Sequence, residues 1–183
     1  YKNWQKEKIA IVGSRKPSQK SLWWLAKELR LILLKNNFVS VSGGAIGVDQ
    51  AVHQSSCDLK LPTIAILPSG LDRIYPRSLA LITKQILDSG GCLLSEFADR
   101  QEVRKYHFSY RNRLIAAMGK ISIIIEAREK SGSLITAHRA LEMGKDIFVV
   151  PSHPLDENFR GSLQLLKLGA HIITKSEDID YWS

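Results

Sequence analysis

Val39-Ser40-Val41-Ser42-Gly43-Gly44-Ala45-Ile46-Gly47-Val48-Asp49 is the stretch from which the fold can be read. The apolar, β-branched segment from Phe38 to Val41 suits a buried strand and stops abruptly at Ser-Gly-Gly. A helix-compatible run, Ala45 to Cys57, follows at once. Strand, glycine turn and helix start therefore succeed one another within a dozen positions. Two adjacent glycines allow φ > 0 and close approach of another group. The first N–H groups of a helix, backed by the positive end of its dipole, then form an anion site. Asp49 falls in the first turn, where a carboxylate suits the dipole for its own sake. The stretch is neither the G-x-G-x-x-G dinucleotide fingerprint nor a P-loop, since no Gly-Lys-Ser/Thr follows.

Outward from this turn the same grammar repeats. Lys8 to Arg15 reads as a buried strand running into a turn. Ser18 is an N-cap candidate for a helix whose apolar spacing runs from Leu22 to Lys35. Within it, at least one of Trp23 and Trp24 should face the core. Leu61 to Leu67 is a third strand, ending at Pro68-Ser69-Gly70-Leu71-Asp72-Arg73-Ile74-Tyr75-Pro76. A helix is expected over Ser78 to Leu87, then a short strand from Cys92 into Ser95-Glu96. A helix through Ala117 leads to Ile121 to Glu126, an almost unbroken β-branched run of the kind found in central parallel strands. Ser131-Gly132-Ser133 opens a helix to Met143 with Gly144 as its C′ residue. A strand from Asp146 to Val150, a helix from Arg160 to Leu168 and a short strand from Ala170 to Thr174 follow, and the polar 176–183 tail should trail off. Strands alternate with helices and no linker parts two domains. The reading is one α/β domain over residues 1–183, doubly wound, with a mainly parallel sheet and helices on both faces. The turns after the strands should share one rim, where such sheets bind ligands.

Composition narrows the function. The chain has 183 residues, 44% hydrophobic and 24% charged, which is ordinary for a globular domain. No apolar run approaches the ~20 residues of a membrane span, and no signal peptide is visible. Cys57 and Cys92 both sit in apolar settings, so free thiols in a reducing cytosol are expected. The formal net charge of +8 favours a polyanionic partner. The first residue is Tyr1 rather than methionine, which suggests a piece of a longer chain.

The 100–113 segment mixes Arg100, Arg104, Lys105, Arg111 and Arg113 with Tyr106, His107, Phe108 and Tyr110. Cations that neutralise phosphates and aromatics that stack on bases are the two ingredients of single-strand binding. The loop from Glu126 through Lys130 to Gly132 and Ser133 adds a further cation and a helix start to the rim. Catalysis finds less support. Asp49, Asp72, Glu96 and Glu126 have no fixed separation, no G-x-S-x-G elbow occurs, and the five histidines show no metal spacing. Neither cofactor nor metal is expected.

Six motifs in order make the chain recognisable: Ile11 to Arg15, Ser42 to Asp49, Gly70 to Pro76, Ser95-Glu96, Phe108 to Ala116 and Gly132 to Ala137. Together they closely resemble the Rossmann-like core of the DNA-processing protein A (DprA/Smf) family. The resemblance implies a bacterial cytosolic protein of natural transformation, not an enzyme, that binds and protects incoming single-stranded DNA, dimerises and helps load the RecA recombinase. It implies a DNA site containing Arg15, the turn Ser42, Gly43 and Gly44, Lys105, Phe108, Arg111, Arg113, Lys130, Gly132 and Ser133. This chain departs from the family at Pro151-Ser152, commonly Pro-Gly, and at Gly161-Ser162, commonly an Asn-containing helix start. The other reading is a nucleotide-processing hydrolase of the lysine-decarboxylase-like (cytokinin-activating) fold, whose P-G-G-x-G-T-x-x-E signature is absent here. A purely protein-binding module is a third.

Overall fold

A computed structural model describes residues 5–182. Seven strands form one parallel sheet in the order β4-β3-β2-β1-β5-β6-β7. They are β1 (Lys8–Gly13), β2 (Val39–Ser42), β3 (Thr63–Ile66), β4 (Cys92–Leu94), β5 (Ile121–Ile125), β6 (Ile147–Val149) and β7 (His171–Ile172). The helices are α1 (Gln19–Lys35), α2 (Val48–Asp58), α3 (Arg77–Ala80), α4 (Thr83–Asp88), α5 (Lys105–Met118), α6 (Gly132–Glu142) and α7 (Arg160–Lys167). The expected fold class is the one observed. From β1 the chain steps outward through β2, β3 and β4, then returns to lay β5 on the other flank of β1. The strand order therefore reverses between β1 and β5, and α/β sheets open a crevice at such a reversal.

Burial on both faces explains the β-branched strands. All five residues of β5 are buried. Ile9, Ile11, Ile121, Ile123 and Ile125 pack with Leu25, Leu29, Val48 and Val52 of α1 and α2. On the opposite face, Ala10, Val12, Val39, Val41 and Ile124 pack with Ile115 of α5, Leu134 and Ala137 of α6 and Leu165 of α7. Trp24 packs against the first of these layers and donates its indole N–H to the Thr174 carbonyl, while Trp23 is exposed. Both cysteines are free. No helix among the described residues is long and apolar enough to cross a membrane.

Three elements differ from expectation. Helix α2 begins at Val48 rather than Ala45, because Gly44 (φ 69°) and Gly47 (φ 97°) hold left-handed backbone and postpone the helix. A Cβ at Gly47 would stand 2.3 Å from the Ser14 carbonyl, so this bend also brings the two turns together. The single helix expected over Ser78 to Leu87 is two short ones, α3 and α4, broken at Leu81 and Ile82. The polar tail does not trail off as far as Trp182; Ser183 lies outside the described residues. The tail forms a 3₁₀ helix, Ser176–Trp182, because Ile179 is fully buried, and the buried Glu28 carboxylate accepts the Ser176 N–H at 2.8 Å.

Candidate functional site

A cleft of about 540 Å³ opens at the β1/β5 reversal. Its walls are the turn Gly13 to Lys16 after β1, the loop Arg128 to Ser131 after β5, the start of α6 and the face of α5 carrying Phe108, Arg111 and Asn112. The predicted rim is real: Arg15 and Gly132 line the cleft, and Gly43 lines a small niche beside it.

The turn carrying Arg15 is held at three points. Ser14 N–H donates to the Ile125 carbonyl at 3.1 Å, and the Ser14 carbonyl accepts the Val48 N–H at 3.0 Å. The third point is Glu126, a fully buried carboxylate just past β5, in left-handed backbone (φ 57°). Its Oε2 accepts the Ser18 N–H and the Ser21 hydroxyl, both at 2.7 Å, tying the start of α1 to the central strand. Ser18 is the N-cap, as expected from the sequence, and accepts the Ser21 N–H. The Arg15 guanidinium leaves this fixed turn and lies 5.4 Å from the centroid of Phe108, a cation–π distance. Arg15, Lys16, Arg128 and Lys130 all line the cleft, and none is in an ion pair among the described residues. Opposite them stands the N-terminus of α6. Its N-cap, Ser131, makes no capping bond and shares its hydroxyl with Ser133 at 2.8 Å. Gly132 leaves this helix end open, since nothing lies within 4 Å of where its Cβ would be. Asn112 Nδ2 donates to the Gly132 carbonyl at 3.1 Å and so fixes the helix start against α5.

The Ser42-Gly43-Gly44 turn is not an open anion site, which corrects the sequence reading. Asp49 already occupies it: its carboxylate accepts N–H groups of Ala45 and Gly43 and sits beside Arg111. The Arg111 guanidinium covers Gly43 so closely that a Cβ there would stand 1.7 Å from Nη1. Gly43 is therefore the packing surface of the buried Arg111 guanidinium, whose charge acts on Asp49. Arg111 is 4% exposed and donates to the Ile66 carbonyl at 2.8 Å. Burial lowers its pKa to about 10, against the opposing pull of Asp49, so it stays charged at neutrality. Burial pushes the Asp49 carboxyl upward, and Arg111 and the backbone donors oppose it. Ser42 turns inward and donates to the Ile11 carbonyl at 2.6 Å, and Gly44 abuts Leu79. Arg113 is engaged as well, with Nη2 lying 2.6 Å from both oxygens of Glu96, outside the cleft lining. Lys105 begins α5, exposed, one helical turn before Phe108, and does not line the cleft.

The structure thus brings together Arg15, Phe108, Lys130, Gly132 and Ser133, with Arg111 as a buried floor. Sequence reasoning missed Lys16 and Arg128. Their signal was position alone, since each lies in a turn directly after a central strand. Four acids near the rim have other employment: Asp49 beside Arg111, Glu126 with α1, Glu96 with Arg113 and Glu129 with Gln164. Among the described residues no cluster of His, Cys, Asp and Glu could hold a metal ion.

Comparison with known proteins agrees with this fold. The model of the DNA recombination-mediator protein A family matches residues 1–181. A DNA processing protein DprA from Streptococcus pneumoniae is 37% identical over 94% of this chain and 60% of its own length. A DprA from Bacillus subtilis is 37% identical over 94% of this chain and 57% of its own. The chain thus spans somewhat over half the length of these relatives. A solved Helicobacter pylori DprA, described for its single-stranded DNA binding mode, superposes with TM-score 0.87 at 34% identity, over 97% of this chain and 80% of that one. The solved S. pneumoniae protein gives TM-score 0.85 at 36% identity, over 97% and 62%. A molybdenum cofactor binding protein from Rippkaea orientalis, 18% identical with TM-score 0.66 over 95% and 93%, shares the fold alone.

Proposed function

Because this chain belongs to the DNA recombination-mediator protein A family, matched over residues 1–181, we propose that it binds single-stranded DNA in the cleft between β1 and β5. One observation carries the reading. Four cations in no ion pair among the described residues, an uncapped helix N-terminus and an aromatic ring converge on one cleft. Arg15 takes a phosphate through its planar fork, and Lys16, Arg128 and Lys130 take neighbouring phosphates as the strand passes. The N–H groups opening α6 face another, with the helix dipole behind them. Phe108 stacks on a base, and any base serves, because every base has a π-face. Lys105 extends the cationic track along α5. Arg111 and Gly43 act beneath the site, as a buried charge and its packing surface.

The family resemblance extends the proposal to a cytoplasmic homodimer that shields incoming strands and passes them to RecA. This reading is of a binder rather than an enzyme, and the engagement of Asp49, Glu96, Glu126 and Glu129 supports it. The test is fluorescence anisotropy with single-stranded and duplex oligonucleotides at several salt concentrations. Single strands should be preferred, and log affinity should fall with log salt by roughly 0.7 per phosphate neutralised, or about 2–3 for the cleft cations together. Equal affinity for duplex, or a flat plot, refutes the reading. Base release from nucleoside monophosphates would establish the hydrolase in its place.

A further inference from the structure

The segment Gly70-Leu71-Asp72-Arg73-Ile74-Tyr75-Pro76 has no role in the cleft just described, yet it borders it. Between this segment and the end of β2 lies a niche of about 50 Å³, lined by Ile46, Pro68, Tyr75 and Pro76 and sharing Arg15 and Phe108 with the main cleft. That volume holds a few water molecules and not a base. Its rim is the unusual part. Tyr75 and Ile46 are 43% and 57% exposed, and neither belongs to the packed layers of the core. The Tyr75 ring meets the half-buried Phe108 edge-on, with centroids 5.8 Å apart at 78°, so the two rings offer faces in different directions. Arg73 and Arg77 flank Tyr75 two positions to either side, both exposed and neither in an ion pair among the described residues. Asp72 is the one acid of the segment.

We propose that Tyr75, with Ile46 beside it, is a second base-stacking position, occupied by a base of the same single strand that lies farther along than the base on Phe108. The inference rests on single-strand binding in the cleft. The niche is too shallow to swallow the base, so the base lies across its mouth, against the Tyr75 ring and the Ile46 side chain. Arg73 and Arg77 serve the phosphates on either side of it. The strand then leaves the β1/β5 cleft over Phe108 and runs toward α3, which sets its direction across the molecule.

The experiment is a length series of oligothymidylates, from about two to about ten nucleotides, within the range of known single-strand sites. Wild type, Y75A, Y75F and F108A are compared by anisotropy, with thermal melting as a check on folding. Y75A should match wild type on the shortest strands and bind longer ones roughly 5- to 150-fold more weakly. Y75F should bind as wild type, since the ring is kept, and F108A should be weak at every length. R73A should reduce the salt slope by about 0.7, again only on longer strands. Y75A equal to wild type at all lengths overturns the inference. So does Y75A weakness that begins with the shortest strand, which would make Tyr75 a support for Phe108. Failure of wild type to bind any single strand overturns the underlying function instead.

Discussion

Replacing Arg111 should cost stability first and affinity only through stability. Arg111 is 4% exposed, lies against Gly43, donates to the Ile66 carbonyl at 2.8 Å and faces the Asp49 carboxylate. Arg111→Ala leaves a buried carboxylate without its counter-charge and an empty space over Gly43. Removing one of two buried charges that act on each other costs up to about 3–5 kcal/mol, against a total stability of roughly 5–15 kcal/mol for a domain of this kind. Asp49→Ala should cost a similar amount, since it strands the guanidinium. The double variant removes both charges and should be less destabilised than the sum of the singles, by about 0.5–3 kcal/mol. Gly43→Ala should resemble Arg111→Ala, because its methyl group takes the space of the guanidinium. Urea denaturation at neutral pH measures all four. The same variants, assayed for single-strand binding at temperatures where they remain folded, should keep most of their affinity. If Arg111→Ala cost under about 1 kcal/mol, or the two losses were simply additive, the coupling of these two buried charges would be misread. A loss of affinity with stability intact would return Arg111 to the list of DNA contacts.

Arg15→Ala should weaken single-strand binding and flatten the salt slope by about 0.7, whereas Phe108→Ala should cost about 1–3 kcal/mol of affinity with the slope intact, both read by anisotropy. His53 is fully buried beside Thr63, and burial, aided by the charge of Arg111, lowers its pKa to about 3. The unfolded chain titrates this histidine near 6.5, so it binds a proton that the folded state refuses. The contribution of His53 is complete above that pH and is lost below it, at up to about 1.4 kcal/mol per unit, until the pH approaches 3. Urea midpoints at pH values between about 4.5 and 7.5 should show this slope diminished in His53→Gln. Lys145 donates to the carbonyls of Ala116, Ala117 and Gly119 at the end of α5, so Lys145→Met should destabilise by about 1–2 kcal/mol, and unchanged melting would show the cap to be idle.

What the sequence made legible was whatever depends on neighbours in the chain. The β-branched run at Ile121 marked the central strand, Ser18 marked a cap, and the turns after strands marked one rim. What stayed hidden depends on depth. Arg111 looks like any surface arginine of a basic segment, and only the fold brings it to Asp49, far away in sequence, and buries both. The same burial explains why the Ser-Gly-Gly turn looked vacant when its anion was already supplied from within. Ser42 followed the inward side of its strand, a parity that the glycines after it concealed. Ile179 stands between acids in a polar tail, too weak a periodic signal to announce a helix. Lys16 and Arg128 carry no motif, and only the reversal of strand order makes them neighbours.

The three anchors of the Arg15 turn bear on the speed and shape of recognition. Ser14 is fixed from two sides and Ser18 is held by Glu126, so the backbone between them is set before any strand arrives. Encounter then orders only side chains, at about 0.5–1.5 kcal/mol for each long one, and no loop has to close. The free and bound forms should therefore superpose through this turn within about 1 Å. Selectivity for flexible strands follows from the same rigidity: the partner must do the bending, and a single strand bends where a duplex resists.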